Sequence, residues 1–239
     1  MPHATRGLLA FLLLVGAATS VCAQDRIRQS REVAAFTEVS LSIPATLHLR
    51  QGEARSVEVK ATQDVLDHVE ATVDDGRLEI QDASNFFERM FDGGHEGEID
   101  VYVTASTIEA ISLAGSGTIT GETPIDHSSL SIDNAGSGTM DLIVSTTDLR
   151  IHVAGSGTVR LRGTADAVDA QIAGSGTVRA RDLTTATAEI EVAGSGDTHL
   201  HVTDRLSASI MGSGDVEYQG APTVDTSILG SGDVQPVEQ

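Results

Sequence analysis

The sequence predicts an all-β chain wound as a right-handed parallel β-helix, a solenoid with Gly-Ser-Gly corners about every 19 residues. Three observations predict this fold. Gly-Ser-Gly followed by Thr or Asp occurs seven times, apolar and polar residues alternate between the copies, and aromatic residues make up only 3% of the chain. Compact globular cores usually use more aromatic side chains, whereas thin β coils packed with Val, Ile, Leu and Ala need few.

The seven motif copies recur at intervals of 18 to 21 residues. A residue used once in every unit is architectural rather than catalytic, so the motif serines are assigned as structural corners. Glycine favours a tight corner because it reaches positive φ without a Cβ clash, and a column of serines is expected to pass hydrogen bonds along the stack. The corner serines are Ser116, Ser137, Ser156, Ser175, Ser195, Ser213 and Ser231.

Between corners the residues alternate with the period of a strand that has one buried face. In one unit, Val159 and Leu161 alternate with arginines, a turn is predicted over 163–166, and an apolar series at Val168, Ala170 and Ile172 follows. The same inward positions are predicted in every later coil, and the final coil is expected to bury Val224, Thr226 and Ile228. Since one such coil cannot bury its apolar face alone, stacking has to make a continuous core.

The first 23 residues are typical of a secretory signal peptide, with Arg6, an apolar run and small residues up to Ala23. Lipidation at Cys22 and an uncleaved anchor are the alternatives. Cleavage after Ala23 would leave no cysteine and hence no disulfide. We therefore expect an exported protein, periplasmic or extracellular, with no integral membrane anchor once the signal is removed.

After a short segment at 24–30, residues 31–113 predict irregular N-terminal β coils or a cap, and 114–239 the regular solenoid. Within the irregular part, Thr62 to Val69 predicts a short helix with Thr62 as its cap, and 74–76 predicts a turn between two strands. An insertion at 82–97 holds Phe86, Phe87, Met90 and Phe91. These side chains are expected either to cover the open end of the solenoid or to bind a partner.

The chain is strongly acidic, with 35 Asp and Glu against 15 Lys and Arg and a formal net charge of −20. Nucleic acids and anionic membranes are bound by basic patches, so the acidic composition disfavours both as partners, and no nucleic acid is expected. High negative charge also keeps a protein soluble, which is the simpler interpretation of the total.

Several segments of the chain form a specific combination: Phe36 to Ser40, Leu49-Arg50-Gln51-Gly52, the run from Asp75 to Ile80, the run from Ile111 to Gly117, and the late Gly-Ser-Gly-Asp-Val copies at 212–216 and 230–234. Together they resemble the head GIN domain of the auto-transporter adhesin family. The resemblance covers about residues 31–234. It implies an exported β-helical domain with an adhesin-like role and names no ligand.

No catalytic residue is predicted. In place of a Gly-x-Ser-x-Gly nucleophile elbow, each motif serine has Ala, Met or Leu at the first glycine position, and no copy has its own His and Asp. No cofactor is expected. The column of Asp197, Asp215 and Asp233 is interpreted as solvated or amide-capping aspartates, with calcium binding as the alternative. His199 and His201 have a spacing that can chelate zinc, but further ligands are missing from the pattern.

The candidate binding residues form two sets. Arg160, Arg162, Arg179 and Arg181 are predicted to face outward on consecutive coils, where they either bind an acidic sugar or a partner's carboxylates or pair with Asp141 and Asp169. The second set is the aromatic insertion named above. An exported, non-catalytic, adhesin-like binding or scaffold domain is therefore predicted, with a protein or glycan of the cell envelope as partner. A glycan-active β-helix enzyme and a purely structural envelope module are the alternatives.

Overall fold

The computed structural model describes residues 26–83 and 98–237. In chain order the elements are β1 (Ile27–Ser30), β2 (Glu38–Leu41), β3 (Thr46–Gln51), β4 (Ser56–Ala61), α1 (Gln63–Leu66), β5 (Val69–Asp74), β6 (Arg77–Asp82), β7 (Asp100–Ala105), β8 (Ala110–Gly115), β9 (Thr118–Gly121), β10 (Ile125–Gly136), β11 (Thr139–Gly155), β12 (Thr158–Gly174), β13 (Thr177–Gly194), β14 (Asp197–Gly212), β15 (Val216–Gln219), β16 (Thr223–Gly230) and β17 (Val234–Pro236).

These strands form a β-solenoid of about seven turns with stacked parallel coils, which confirms the predicted fold. Strands β10 to β14 pair in parallel, each with the next. The stack continues in β15, β16 and β17, which pair in parallel with the preceding coil. Every coil of the regular part therefore lies directly over its neighbour in sequence.

The motif glycines set the register of this stack. The first glycine of each copy pairs with the first glycine of the next, in an unbroken column from Gly115 to Gly230. The serine amide after each glycine donates to the glycine carbonyl one coil earlier, as in the 2.8 Å bond from Ser156 to Gly136. The motif serines are exposed, and among the described residues their hydroxyl groups have no hydrogen-bond partner. The predicted column of serine side-chain hydrogen bonds was therefore wrong, and backbone hydrogen bonds connect the coils at the corners.

The two glycines of a motif are required for different reasons. Gly174 has a φ of +114°, and a Cβ there would lie 2.6 Å from the carbonyl oxygen of Gly155. Gly196 has no such φ, but its Cβ would lie 2.5 Å from the carbonyl oxygen of Gly176 and from the Ile172 side chain. The first glycine thus makes the corner and the second admits close packing of coil on coil.

The core is a column of alternating apolar side chains inside the coils, as predicted from Met140 through Val216. The last coil differs. Val224, Thr226 and Ile228 lie in register with the buried Leu206, Ala208 and Ile210, but Ile228 is 42% exposed and Thr226 is exposed too. The predicted burial was wrong for Thr226 and Ile228, because no described coil lies over them, whereas Val224 is half-buried against the core.

The N-terminal part stacks out of chain order. Strand β2 lies between β6 and β8, and β3 lies between β7 and β9, all in parallel pairs. Strand β4 pairs antiparallel with β7 and β1. Helix α1 buries Val65 and Leu66, and Thr62 occupies its N-cap position as predicted, although the Thr62 side chain makes no cap hydrogen bond. The helix is shorter than predicted, since it ends at Leu66 and Val69 begins β5. The predicted turn between β5 and β6 is present, with Asp75 and Gly76 both at positive φ.

The turn predicted at 163–166 is a bend inside continuous strand β12 rather than a break. Gly163 has a φ of +115° and Ala165 is buried, while the pairing with β11 continues through this stretch. The coil therefore changes direction without losing its hydrogen bonds to the neighbouring coil.

Two glycine substitutions separate corner strain from packing. Gly115→Ala meets only the strain of its φ of +97°, because nothing lies within 4 Å of its Cβ. We expect it to lower the free energy of unfolding by about 1 kcal/mol or more. Gly174→Ala adds the clash with the Gly155 carbonyl and is expected to cost clearly more. Urea unfolding of both variants measures the difference, and equal midpoints would contradict the packing role of the column.

Candidate binding site

The four arginines predicted as a cluster line one surface groove with a volume of about 400 Å³. The groove lies on the outer surface of β11 to β14, the regular middle of the solenoid. Its lining residues are Asp141, Arg160, Leu161, Arg162, Arg179, Arg181, Asp182 and His199.

Strand register places one outward-facing residue of each coil in a single row. Asp141 pairs with Arg160, Arg160 with Arg179, Arg179 with His199 and His199 with Glu217. Neighbouring members of the row are separated by one strand spacing, about 4.8 Å. Two arginines therefore lie side by side at the centre, with a carboxylate at each end of the row.

An irregularity in β13 shapes one side of the groove. Arg160 pairs with Arg179, but Arg162 pairs with Asp182, so β13 has one residue more than β12 over this stretch. On the other side, Ala180 pairs with Leu200 and Thr184 with His201, which leaves residues 181–183 without register partners in β14. Bulges re-aim side chains. The extra residue of β13 is visible in the sequence as a 20-residue interval between Ser175 and Ser195, one longer than the preceding interval.

The two outer arginines are engaged by carboxylates. Arg162 donates through Nη2 to Oδ1 of Asp141, and Arg181 donates through Nη2 to Oε2 of Glu217. Nδ1 of His199 lies 2.9 Å from the same Glu217 oxygen and 3.4 Å from Nη2 of Arg181. One of the predicted pairings, with Asp141, is therefore present.

The two central arginines are not paired. Within residues 26–83 and 98–237, the guanidinium groups of Arg160 and Arg179 have no hydrogen bond or ion pair. Asp169, the other predicted partner, lies in a different row, in register with Arg150 and Glu189. Its predicted pairing with the four arginines was wrong. Asp169 instead lines a second groove of about 280 Å³ with Arg150 and Arg205.

The aspartate column binds backbone amides. Asp197 Oδ1 accepts from the Asp215 amide at 3.3 Å, Asp215 Oδ1 from the Asp233 amide at 3.0 Å, and Asp233 Oδ1 from the Val234 amide at 2.9 Å. Over the described ranges, no group of three or more His, Cys, Asp or Glu side chains is placed to hold a metal ion. His199 is held by Glu217 rather than facing a zinc site with His201.

A charged and aromatic cluster on the N-terminal coils was missed in the sequence. The rings of His48 and Tyr102 stack at 4.7 Å, and the Arg28 guanidinium lies 4.3 Å from the Tyr102 ring centre. Nδ1 of His48 lies 3.1 Å from Oε1 of Glu122. The other carboxylate oxygen of Glu122, Oε2, accepts a hydrogen bond from Nε of Arg50. The Arg50 hydrogen bond, with help from His48, holds the pKa of Glu122 below its ordinary value. Only the out-of-order stacking brings these residues together.

A family model described as "Putative auto-transporter adhesin, head GIN domain" matches residues 35–222. The chain belongs to this family. Sequence comparison with curated proteins finds no match at a significant level.

Three solved structures share the fold of this head GIN domain. A putative adhesin from Bacteroides fragilis has a TM-score of 0.81 and 21% identity, and a putative lipid binding protein from Parabacteroides distasonis has a TM-score of 0.72 and 22% identity. A putative adhesin from Parabacteroides merdae has a TM-score of 0.70 and 18% identity. In each comparison 90% of this chain and 98% of the other chain are covered.

Membership of the head GIN family supports an adhesin-like binding role and an exported or surface location, without naming a ligand. In the part of the chain that the structure describes, no helix is long and apolar enough to cross a membrane. The predicted signal peptide at 1–23 and the four candidates of the insertion, Phe86, Phe87, Met90 and Phe91, lie outside the described residues.

The lowered pKa of Glu122 predicts that part of the stability of this head GIN domain is lost in acid. Because the folded pKa of Glu122 lies below its ordinary 4.5, its ion pairs stabilise the fold fully above that pH, and the contribution is lost as the pH falls through the folded pKa. We expect Glu122→Gln to be less stable than wild type at pH 7 and closer to it at pH 3. Thermal melts across this window measure the effect, with Glu191→Gln, an exposed strand carboxylate, as control. A stability difference between Glu122→Gln and wild type that stays the same from pH 7 to pH 3 would contradict the stabilising role of the Glu122 ion pairs.

Proposed function

We propose that this head GIN domain is an exported, non-catalytic, adhesin-like binding domain that holds an acidic ligand in the arginine groove. The observation that supports the proposal is the pair Arg160 and Arg179, adjacent in register and without carboxylate partners in the described chain. Like charges in neighbouring register positions destabilise a sheet. A ligand anion between them would relieve that repulsion.

The charges around the pair add to this support. Asp141 and Glu217, the carboxylates at the ends of the row, are taken up by the outer arginines Arg162 and Arg181. Asp182 also lines the groove, but the four arginines of the groove still outnumber the carboxylates of Asp141, Asp182 and Glu217, which leaves a local positive excess on a chain whose formal net charge is −20. Such a local excess is where an anion would gain most from binding.

A second candidate is a lyase acting on acidic glycans, favoured by the place of His199 in the groove. Arginines would neutralise the sugar carboxylate and His199 would take the adjacent C–H proton. The electron pair would then form the new C=C bond as the glycosidic oxygen leaves and is protonated. Release of unsaturated sugar ends by wild type, lost in His199→Ala, would decide for this candidate over the non-catalytic one.

Substituting the central pair should stabilise the unliganded protein. We expect Arg179→Thr to raise the free energy of unfolding by about 0.2–1 kcal/mol, because it removes a like-charge neighbour from Arg160. The matched control is Arg150→Thr, another exposed strand arginine, which lies in register with Asp169 and should lose stability. Urea unfolding at low salt measures both. Loss of stability in Arg179→Thr would indicate a structural role for this arginine.

The same pair should be needed for ligand binding. The intact protein is applied to arrays of glycans and acidic peptides beside two double variants of equal charge, Arg160→Thr/Arg179→Thr and Arg150→Thr/Arg205→Thr. We expect the first variant to lose the hits of wild type and the second to keep them. Only Arg160 and Arg179 are register neighbours, whereas Arg150 and Arg205 share their groove with Asp148, Asp169 and Glu189. Hits kept by the first variant would contradict the proposed site.

A further inference from the structure

The arginine groove also indicates which acidic ligand it takes. We infer that the ligand is a carbohydrate with a carboxylate on the sugar, of the uronic or sialic acid class, bound with that carboxylate between Arg160 and Arg179. This inference rests on the proposed function and specifies its ligand.

The spacing of the central pair fits one carboxylate. Arg160 and Arg179 are register partners on adjacent strands, about 4.8 Å apart at the backbone. Guanidinium groups form short charge-assisted hydrogen bonds to carboxylate oxygens, and two such groups can each take one oxygen of the same carboxylate. Arg162 and Arg181 flank this position but are turned toward Asp141 and Glu217.

The charge of the groove fits isolated anionic groups rather than a dense polyanion. The two central guanidinium groups have no ion pair, and neither does the Asp182 carboxylate in the same groove, within the described residues, so the net positive charge of the groove is small. A nucleic acid presents a phosphate at every step and is bound by many Lys and Arg contacts. On a chain of net charge −20 such a ligand would meet repulsion outside the groove. A glycan with carboxylates separated by hydroxyl-bearing sugar atoms avoids this repulsion.

The backbone around the groove favours a sugar over a peptide. Strands β12, β13 and β14 are each hydrogen-bonded to a neighbour on both sides, so the groove has no free edge for an added strand. The longest stretch of β13 without partners in β14 is 181–183, which is too short for strand addition. Recognition therefore depends on side chains. Asp141, Asp182 and His199 can accept hydrogen bonds from the hydroxyl groups that a sugar supplies.

The size of the groove fits a short stretch of glycan. Its volume of about 400 Å³ lies in the lower part of the range of small-molecule sites, roughly 300–1,000 Å³. The open outer surface of the solenoid leaves room for the rest of a chain to continue on either side. Binding of an internal or terminal acidic sugar is therefore sterically allowed.

The test compares glycans that differ only at the carboxylate. The intact protein is titrated by calorimetry with oligogalacturonate and with sialyllactose, and with each after its carboxyl groups have been reduced to alcohols. We expect reduction to weaken binding of the responding glycan by about tenfold to a hundredfold, as for a lost charge-assisted hydrogen-bond pair. The Arg160→Thr/Arg179→Thr variant should bind the acidic glycan as weakly as wild type binds the reduced glycan. It should also bind the acidic and reduced glycans with equal affinity. The Arg150→Thr/Arg205→Thr variant should behave as wild type.

Other results separate this inference from the proposed function. One such result is that a sulfated glycan or oligoglutamate binds with the same affinity as both carboxylated sugars and that Arg160→Thr/Arg179→Thr abolishes this binding. That result would overturn the ligand class and support the groove as the binding site. Absence of binding to both carboxylated glycans would also overturn the ligand class. Carboxylate-dependent binding that the central-pair variant retains would overturn the groove itself. Release of unsaturated ends during the titration would keep the ligand class and change the activity to that of a lyase.

Discussion

The structure depends on the hydrogen bond between coils at each corner. A serine amide reaches the carbonyl of a glycine one coil earlier, at 2.8–2.9 Å in every copy of the motif after the first. This bond forms because the first glycine takes a positive φ and the second admits the neighbouring backbone. The repeated bond sets the register of each coil, and register decides which side chains become neighbours.

The register between coils determines which residues lie side by side on the surface of the solenoid. Residues about 19 positions apart become lateral neighbours, so a short run of arginines in two consecutive coils becomes a compact cluster on one face. The same rule places Asp141 and Glu217 at the two ends of the row and lets them bind the outer arginines. The free central pair is thus a consequence of the order of residues along β11 to β15. The bulge at 181–183 is one of two register shifts between β13 and β14, and Arg181 in this bulge reaches Glu217 two coils away.

Much of the fold could be predicted because the repeat is encoded locally. Gly-Ser-Gly marks each corner, and alternation identifies inward residues such as Val159 and Ile172. The clustering of Arg160 with Arg179 followed from their equal distance after the corner. What could not be predicted depends on long-range pairing. The stacking of β2 between β6 and β8 leaves no trace in the motif pattern, so the contacts of His48, Tyr102 and Glu122 were missed. Pairing of Arg162 with Asp141 rather than with Asp169 likewise depends on which outward row each residue occupies.

The most direct test of the central claim, that the free arginine pair is an anion site, is side-chain NMR of the arginines. The Nε–Hε resonances of the intact protein are recorded while galacturonate is added, and each is assigned by single substitution. The account predicts that Arg160 and Arg179 shift together with one saturation curve, while Arg150 and Arg205 in the second groove stay unchanged. Equal small shifts of all exposed arginines, or no shift of the central pair, would contradict it.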